Sequence, residues 1–291
     1  MSNDRLRAYH SFWSVPLYKN RLGRNFKSAQ GVENTLVLAA LSCVTAKRLG
    51  CEMVMHTDDK GAKLFDCVPY DEVYLSINDH AINEKFWASG KFVALEREPL
   101  GSCHLDIDAF IQSKYCIANI LSQTEDILVQ CEEYVWRYYW QLSVWMLKYI
   151  STSGTFMDGV KPFGENKNDA AYNCGIVRFT NEKLKSEYCD YYWRWVRELE
   201  AKGTRDPFFK NPHCVPDIVL EQWMLHKLIK SGGYSVKTIC HPTGRDLMKN
   251  GYCHLFAAMK YKVNSLAKKL LLKYCPDTYR RVLKKIEEVA S

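Results

Sequence analysis

The chain has 291 residues, of which 47% are apolar, and a formal net charge of +7. This length is enough for one large α/β domain or two small ones with a substantial core, and no apolar run approaches the roughly 20 residues of a membrane-spanning helix. The 12 cysteines are scattered without a C-x-x-C pair, which favours small buried hydrophobes over a zinc site.

The first half of the chain predicts an alternation of strands and helices. Apolar, β-prone segments end at turn signals, and segments with helical apolar spacing lie between them. In chain order we predict a strand at 7–13, a helix at 31–48, a strand at 52–56, a helix at 62–67, a strand at 72–76, a helix at 80–98 and a strand from 101 that runs into Asp106. This order favours a mostly parallel sheet whose ligand site lies outside the carboxyl ends of the strands.

The second half continues with strands, helices and a long polar loop. We predict a strand at 126–131, a helix at 134–149, a loop at 151–168, a strand at 172–179, helices at 182–202 and 216–230, a strand at 234–239 and an amphipathic segment at 264–290 that breaks at Pro276. We therefore expect an α/β fold: one Rossmann-like domain over residues 1–262, with a mostly parallel central sheet and helices on both faces. A basic, amphipathic C-terminal helical extension would cover residues 263–291.

Two aspartates, Asp106 and Asp108, directly follow the strand from 101. Carboxylates at a buried strand end need a partner, and two of them this close together invite a hard divalent cation. The same pair is also compatible with a solvated strand end or with a cap for a following helix. From the residues alone, a metal site is one of three interpretations.

Other polar residues whose side chains could bind a ligand or take part in catalysis follow along the chain. His254 offers an imidazole that can bind a metal, and Lys260 offers an ammonium that can neutralise phosphate oxygens. Glu221 lies in the helix predicted at 216–230, and a carboxylate on the exposed surface of that helix explains it as well as a catalytic role does. The remaining candidates are Lys91, Asn173, Gly175, Glu221 and Gln222.

These motifs, in this order, resemble those of nucleotide-sugar glycosyltransferases of the GT-A fold. The closest resemblance is to an uncharacterised bacterial group of GT-A-like proteins that an H-x-D-x-D segment marks, here His104-Leu-Asp-Ile-Asp108. The segment from His254 to Lys260 is also similar to the H-x-x-G-x-x-K signature of glycogenin-like and lipopolysaccharide galactosyltransferase-like enzymes, with Ala257 at the glycine position.

The resemblance implies how a nucleotide-sugar donor would be held. Mn²⁺ or Mg²⁺ would lie on the donor diphosphate, and its ligands would be Asp106, Asp108 and His254. Two lysines, Lys91 and Lys260, would offset the charge of the leaving nucleotide. The residues facing the nucleoside would be His10, Ser11, Thr57 and Asp58, and those lining the sugar pocket would be Asn173 and Gly175.

The resemblance also implies an activity. We expect a metal-dependent glycosyltransferase that moves a sugar from a nucleotide-diphosphate sugar, with a UDP-sugar favoured, to a glycan or lipid-linked acceptor in bacterial surface polysaccharide synthesis. An inverting enzyme needs a carboxylate as general base for the acceptor hydroxyl, and Glu221, Asp217, Glu132 and Glu133 are available. Glu221 with its neighbour Gln222 is the favoured candidate. A retaining enzyme would not need a base there.

Two other functions compete with this one. A non-catalytic protein that binds a sugar nucleotide or a glycan would keep the same fold without turnover. A phosphatase nucleophile pair is less favoured, because Phe110 occupies the position where such enzymes have a serine or threonine.

The sequence also predicts where the protein works. The N-terminus has no apolar signal region, so we expect a cytoplasmic protein, and nucleic acid is not an expected partner. The basic amphipathic segment at 264–290 would contact an anionic membrane at its inner face, or would simply pack on the domain.

Overall fold

The computed structural model describes residues 5–18, 29–78, 82–133, 170–201, 217–240, 250–255 and 264–290. Within these ranges the first elements are β1 (Arg7–Phe12), α1 (Val15–Tyr18), α2 (Ala29–Arg48), β2 (Glu52–Thr57), α3 (Asp59–Phe65), β3 (Glu72–Tyr74), α4 (Ser89–Arg97), β4 (Cys103–Leu105), β5 (Ala109–Ile111) and α5 (Lys114–Leu121). The helix predicted at 134–149, the loop predicted at 151–168 and Lys260 lie outside the described residues.

The later elements complete the sheet and its helical layers. They are β6 (Ile127–Glu133), β7 (Ala171–Phe179), α6 (Glu182–Ala201), a π-helix (Ile218–Trp223), α7 (Met224–Gly232), β8 (Val236–Thr238), β9 (Tyr252–His254), α8 (Asn264–Tyr274) and α9 (Pro276–Ala290). The break predicted at Pro276 is confirmed, because Pro276 begins a separate helix. None of the described helices is long and apolar enough to cross a bilayer.

The central sheet has seven strands in the order β3-β2-β1-β4-β7-β6-β8. Its pairings are parallel except for those of β7, which runs antiparallel to both β4 and β6. A second, two-stranded ribbon pairs β5 with β9 in antiparallel fashion. The prediction of an α/β, Rossmann-like domain with a mostly parallel sheet is therefore confirmed.

Helices cover both faces of the sheet, and each face has its own apolar core. On one face, residues of α2 such as Leu36 and Val37 pack with Ala267 and Leu271 of α8 and with Val282 of α9. On the other face, the large side chains come from α4, α6, the π-helix and α7, including Phe92, Tyr192, Trp195, Trp223 and Leu225.

Two helices differ from the prediction for local reasons. The helix predicted at 80–98 begins only at Ser89, because the segment before it is held by side chains: Asn83 accepts a hydrogen bond from the Lys85 amide, and Asp217 accepts one from the Ala88 amide. The helix α5 was not predicted, and Ser113 caps it by accepting from the Cys116 amide.

A buried carboxylate ties the first strands together. Glu98 accepts hydrogen bonds from the guanidinium of Arg7 at 2.8 Å and from Nε2 of His56 at 2.8 Å. Burial acts to raise the pKa of Glu98, but the bonds from His56 and Arg7 outweigh it and lower the pKa to about 2. Glu98 is thus ionised across the neutral range and fixes β1, β2 and the end of α4 to one another.

Replacing Glu98 with glutamine is expected to lower the free energy of unfolding by about 3 kcal/mol at neutral pH, because Arg7 and His56 then lose a buried charged partner. The pKa of Glu98 is depressed on folding, so its contribution is complete above the unfolded pKa of about 4.3 and is lost as the pH falls towards 2. Denaturant unfolding of both proteins between neutral pH and pH 3 would show the difference shrinking with acid.

The matched control is Glu72→Gln, since Glu72 also pairs with Arg7 but is exposed. We expect a much smaller loss for this variant. Equal losses in the two variants would contradict the role of the buried carboxylate.

Candidate metal centre

Three metal-ligating side chains converge at the carboxyl end of β4. Asp106 directly follows β4, Asp108 directly precedes β5, and His254 ends β9, whose pairing with β5 sets His254 opposite Ala109. Nε2 of His254 lies 3.2 Å from Oδ1 of Asp108 and 3.7 Å from Oδ2 of Asp106. One ligand atom from each residue lies within 4.8 Å of the other two.

Gln130 sets the orientation and the tautomer of His254. Its amide oxygen accepts hydrogen bonds from Nδ1 of His254 at 2.8 Å and from the hydroxyl of Tyr252 at 3.0 Å. Because Nδ1 donates, the neutral ring directs the Nε2 lone pair at the two carboxylates. Three lone-pair donors pointing at one another are favourable only around a cation, which is a proton on Nε2 or a metal ion.

The ligand types fit the metals expected from the sequence. Two carboxylates are hard oxygen ligands of the kind that Mg²⁺ and Mn²⁺ prefer, and an imidazole suits transition metals such as Mn²⁺. A hydrogen bond that orients a metal-ligating histidine is the usual support for such a site, and Gln130 supplies it here. The described residues thus fit a divalent cation held by Asp106, Asp108 and His254.

An irregularity in β7 makes room for the imidazole. Val129 of β6 pairs with Val177, and Cys131 pairs with Asn173, so three residues of β7 face Gln130 alone. Such bulges are common beside functional sites. Gly175 lies in this bulge, and a Cβ at its position would overlap Nδ1 of His254 and lie 2.6 Å from the Gln130 amide oxygen.

Lys91 of α4 reaches into the same cluster. Its ammonium donates to the carbonyl oxygen of Cys174 at 2.6 Å and to Oε1 of Glu221 at 2.5 Å, and lies 3.4 Å from Oδ1 of Asp106. Burial acts to lower the pKa of Lys91, but the carboxylates of Asp106 and Glu221 outweigh it and raise the pKa above its ordinary value. Lys91 therefore stays a cation beside the metal ligands.

Glu221 is buried beneath this cluster, on the π-helix. The hydroxyl of Tyr188 donates to the Glu221 carbonyl at 2.9 Å, and Asp217 at the start of the π-helix accepts from the Tyr192 hydroxyl at 3.0 Å. These bonds hold a helical geometry that is rare and often found at functional sites. Burial raises the pKa of Glu221, although Lys91 acts in the opposite direction.

A cavity of about 100 Å³ lies beside the two aspartates. The side chains of two tryptophans, Trp13 and Trp87, form part of its wall. Ser11, Lys91, Asp106 and Asp108 contribute its polar and charged part, and Phe12, Pro16, Ala88, Gly90 and Ile107 complete the lining. The cavity therefore combines aromatic residues with charged groups next to the metal ligands.

His104, the histidine of the H-x-D-x-D segment, lies behind Asp106. Its Nε2 lies 3.0 Å from the hydroxyl of Ser11, and its Nδ1 lies 3.9 Å from Oδ1 of Asp106. The ring is buried, which lowers the pKa of His104 well below its usual value and keeps it neutral. The contact between Ser11 and His104 thus links β1 and β4 next to Asp106.

The structure does not bring all the predicted nucleoside residues to this cleft. His10 is fully buried, and its ring nitrogens bond Tyr70 at 2.7 Å and Ser42 at 3.0 Å, so it does not line the cavity. Thr57 donates to the Phe12 carbonyl at 2.7 Å.

Asp58 connects the turn after β1 to the start of α3. Its carboxylate accepts from the Gly61 amide at the start of α3, and from the amide and hydroxyl of Ser14. Asp58 therefore shapes the loop after β1, which carries Trp13 to the cavity. Of the four predicted nucleoside residues, Ser11 lines the cavity.

The remaining predicted residues fall around the cluster in different ways. Asn173 donates to Glu133 at 2.7 Å and accepts from the Gly175 amide at 3.0 Å, so it braces the bulge. Gln222 is half-buried beside Glu221 on the π-helix. Sequence reasoning missed Gln130, Trp13 and Trp87, since a lone glutamine in a strand and scattered tryptophans have no distinctive spacing.

Comparisons with known proteins give one match. The model of a family described as a family of unknown function, DUF6734, matches residues 6–285. No curated protein and no solved structure matches the chain.

Replacing Gly175 with alanine is expected to weaken Mn²⁺ binding by about tenfold to a hundredfold, because the added methyl group displaces the His254 ring from Gln130. Titration calorimetry of Mn²⁺ into wild type and variant checks this. The control is Gly50→Ala, where a Cβ meets no atom within 4 Å although the backbone φ of +96° is unfavourable for alanine. Unchanged Mn²⁺ affinity in Gly175→Ala, or an equal loss in the control, would contradict the role of Gly175.

Proposed function

Since the chain belongs to the DUF6734 family of unknown function, we propose from its site that it is a metal-dependent glycosyltransferase. The donor would be a nucleotide-diphosphate sugar, with a UDP-sugar favoured. The acceptor would be a glycan or a lipid-linked sugar in the synthesis of a bacterial surface polysaccharide. The convergence of Asp106, Asp108 and a correctly oriented His254 is the observation that carries this proposal.

A divalent ion bound at this site would supply positive charge for the diphosphate oxygens of a leaving nucleotide. Asp106, Asp108 and His254 would hold it, and Gln130 keeps Nε2 of His254 facing the two carboxylates. Lys91 adds a second, fixed positive charge, since its ammonium lies 3.4 Å from Asp106. This arrangement stabilises a leaving group that gains negative charge.

The aromatic cavity supports a ligand with a flat ring attached to the phosphates. Trp13 and Trp87, which line it, would supply rings for a nucleobase or a sugar ring to stack on, and Ser11 would supply a hydroxyl. The cavity of about 100 Å³ suits one small ring rather than an entire sugar nucleotide. The rest of the donor would extend outside it, towards the metal ligands.

Glu221 would accept the proton of the acceptor hydroxyl, with Gln222 beside it. Burial raises the pKa of Glu221 and so makes its carboxylate a stronger proton acceptor. Lys91, which bonds Glu221 at 2.5 Å, keeps the carboxylate in place before the substrate binds.

The alternative is a non-catalytic protein that binds a sugar nucleotide or a glycan. Such a protein would use the same metal ligands and the same aromatic cavity for binding alone. Donor binding without any release of free nucleotide, with a range of glycan acceptors supplied, would favour this alternative.

Thermal unfolding with UDP, GDP, CDP and ADP, each with Mn²⁺ or with EDTA, tests the binding part of the proposal. We expect stabilisation by one nucleotide only when Mn²⁺ is present, about 2.7 kcal/mol at 100 times the Kd. Asp108→Asn should abolish the stabilisation, whereas Asp59→Asn, at an exposed position in α3, should retain it. Stabilisation that persists in EDTA or in Asp108→Asn would overturn the metal role.

Glu221→Gln tests the catalytic part. We expect the rate of sugar transfer to fall by about 10² to 10⁴, the usual contribution of a general base, while stabilisation by nucleotide and Mn²⁺ persists. Glu198→Gln on α6 is the control, and it should leave the rate unchanged. An unchanged rate in Glu221→Gln would remove Glu221 as the base without affecting the metal site.

A further inference from the structure

A second, larger cavity of about 600 Å³ lies among α2, the β5–β9 ribbon and α8. Most of its wall is aliphatic or aromatic, with Leu41, Phe110, Leu255, Leu266, Leu270 and Tyr274 as the main contributors. Its lining contains few polar side chains, so a ligand with many hydrogen-bonding groups would leave them unsatisfied there.

This cavity shares no lining residue with the metal ligands or with the smaller cavity. The β5–β9 ribbon contributes Phe110, Ile111 and Cys253 to its wall, whereas His254 and its partner Ala109 are not part of the lining. The cavity is therefore a distinct site.

Exposed cations lie on α2 and α8, the two helices that contribute to the cavity wall. The guanidinium of Arg48 is exposed, lies 4.5 Å from the centre of the Tyr274 ring and donates to the Tyr274 carbonyl at 3.2 Å. Lys269 and Lys273 are exposed on the helix whose Leu266 and Leu270 line the cavity, and neither has an ion-pair partner among the described residues. By contrast, Lys268 pairs with Glu33 on α2.

We propose that this cavity takes an acyl chain of an anionic membrane phospholipid, and that Arg48, Lys269 and Lys273 bind its head group. An acyl chain has no polar groups to satisfy inside an apolar cavity, whereas a peptide brings backbone N–H and C=O groups that need partners. Arg48, which lines the cavity, and the exposed lysines of α8 complement the charge of a phosphodiester. Leu266, 53% exposed, adds apolar surface at the edge of the cavity.

Sedimentation of the full chain with vesicles tests this inference. We expect binding to vesicles of phosphatidylcholine with phosphatidylglycerol and little binding to phosphatidylcholine alone. Lys269→Glu with Lys273→Glu should lower binding by more than about tenfold, the effect of losing two surface cations. Arg280→Glu with Lys284→Glu on α9, the same change of net charge away from the cavity, should have a smaller effect.

A second pair of variants separates the cavity from general adsorption of α8. Leu266→Asp alters the wall of the cavity, whereas Leu272→Asp makes the same change at a residue that is 46% exposed on the same helix and does not line it. Both positions are exposed, so folding should be preserved. We expect only Leu266→Asp to lose binding.

Equal sedimentation with the two kinds of vesicle, or equal losses in Leu266→Asp and Leu272→Asp, would overturn the lipid site. Binding of Mn²⁺ measured on the same protein distinguishes this result from a failure of the proposed function. Binding of Mn²⁺ and nucleotide without binding to anionic vesicles would contradict the lipid site and leave the proposed function standing.

Discussion

Electrostatic repulsion among carboxylates is the constraint on which the site depends. Asp106 and Glu221 both face Lys91, and Asp108 is buried beside His254, so three acidic groups lie close together and two of them, Asp108 and Glu221, are buried. Like charges in such surroundings are stable only with compensating cations. Lys91 supplies one, and the convergence of His254 with the aspartates creates a position for another.

Much of the surrounding structure serves to hold these charges in place. The bulge of β7 offers the Cys174 carbonyl to Lys91 and a glycine to His254, while the Gly175 carbonyl accepts the Asp106 amide at 2.9 Å. The π-helix brings Glu221 from the opposite side. The site is therefore assembled from β4, β7, β9, α4 and the π-helix, and it exists only when all of them are folded together.

From the sequence it was possible to predict which polar residues follow the ends of strands, but not which face of the sheet each side chain occupies. Asp106 and Asp108 could be assigned to a strand end because an apolar segment stops there. The predicted helix start at residue 80 was wrong because the turns before Lys91 depend on a hydrogen bond to Asp217, which is far away in the chain. His10 and Ser11 show that the side of the sheet occupied by each side chain could not be predicted. In a parallel sheet covered on both faces the apolar pattern does not alternate, so it cannot tell which of two neighbours faces the cleft.

The packing of α8 and α9 on α2 has a consequence for synthesis. The apolar face of α2, with Leu36 and Val37, is covered in part by Ala267, Leu271 and Val282, which the ribosome adds much later. While the nascent chain grows, this face has no native partner and is open to chaperones or to non-native contacts. Completion of that core must therefore follow translation of the late helices, whereas the core around α4, α6 and α7 can form earlier.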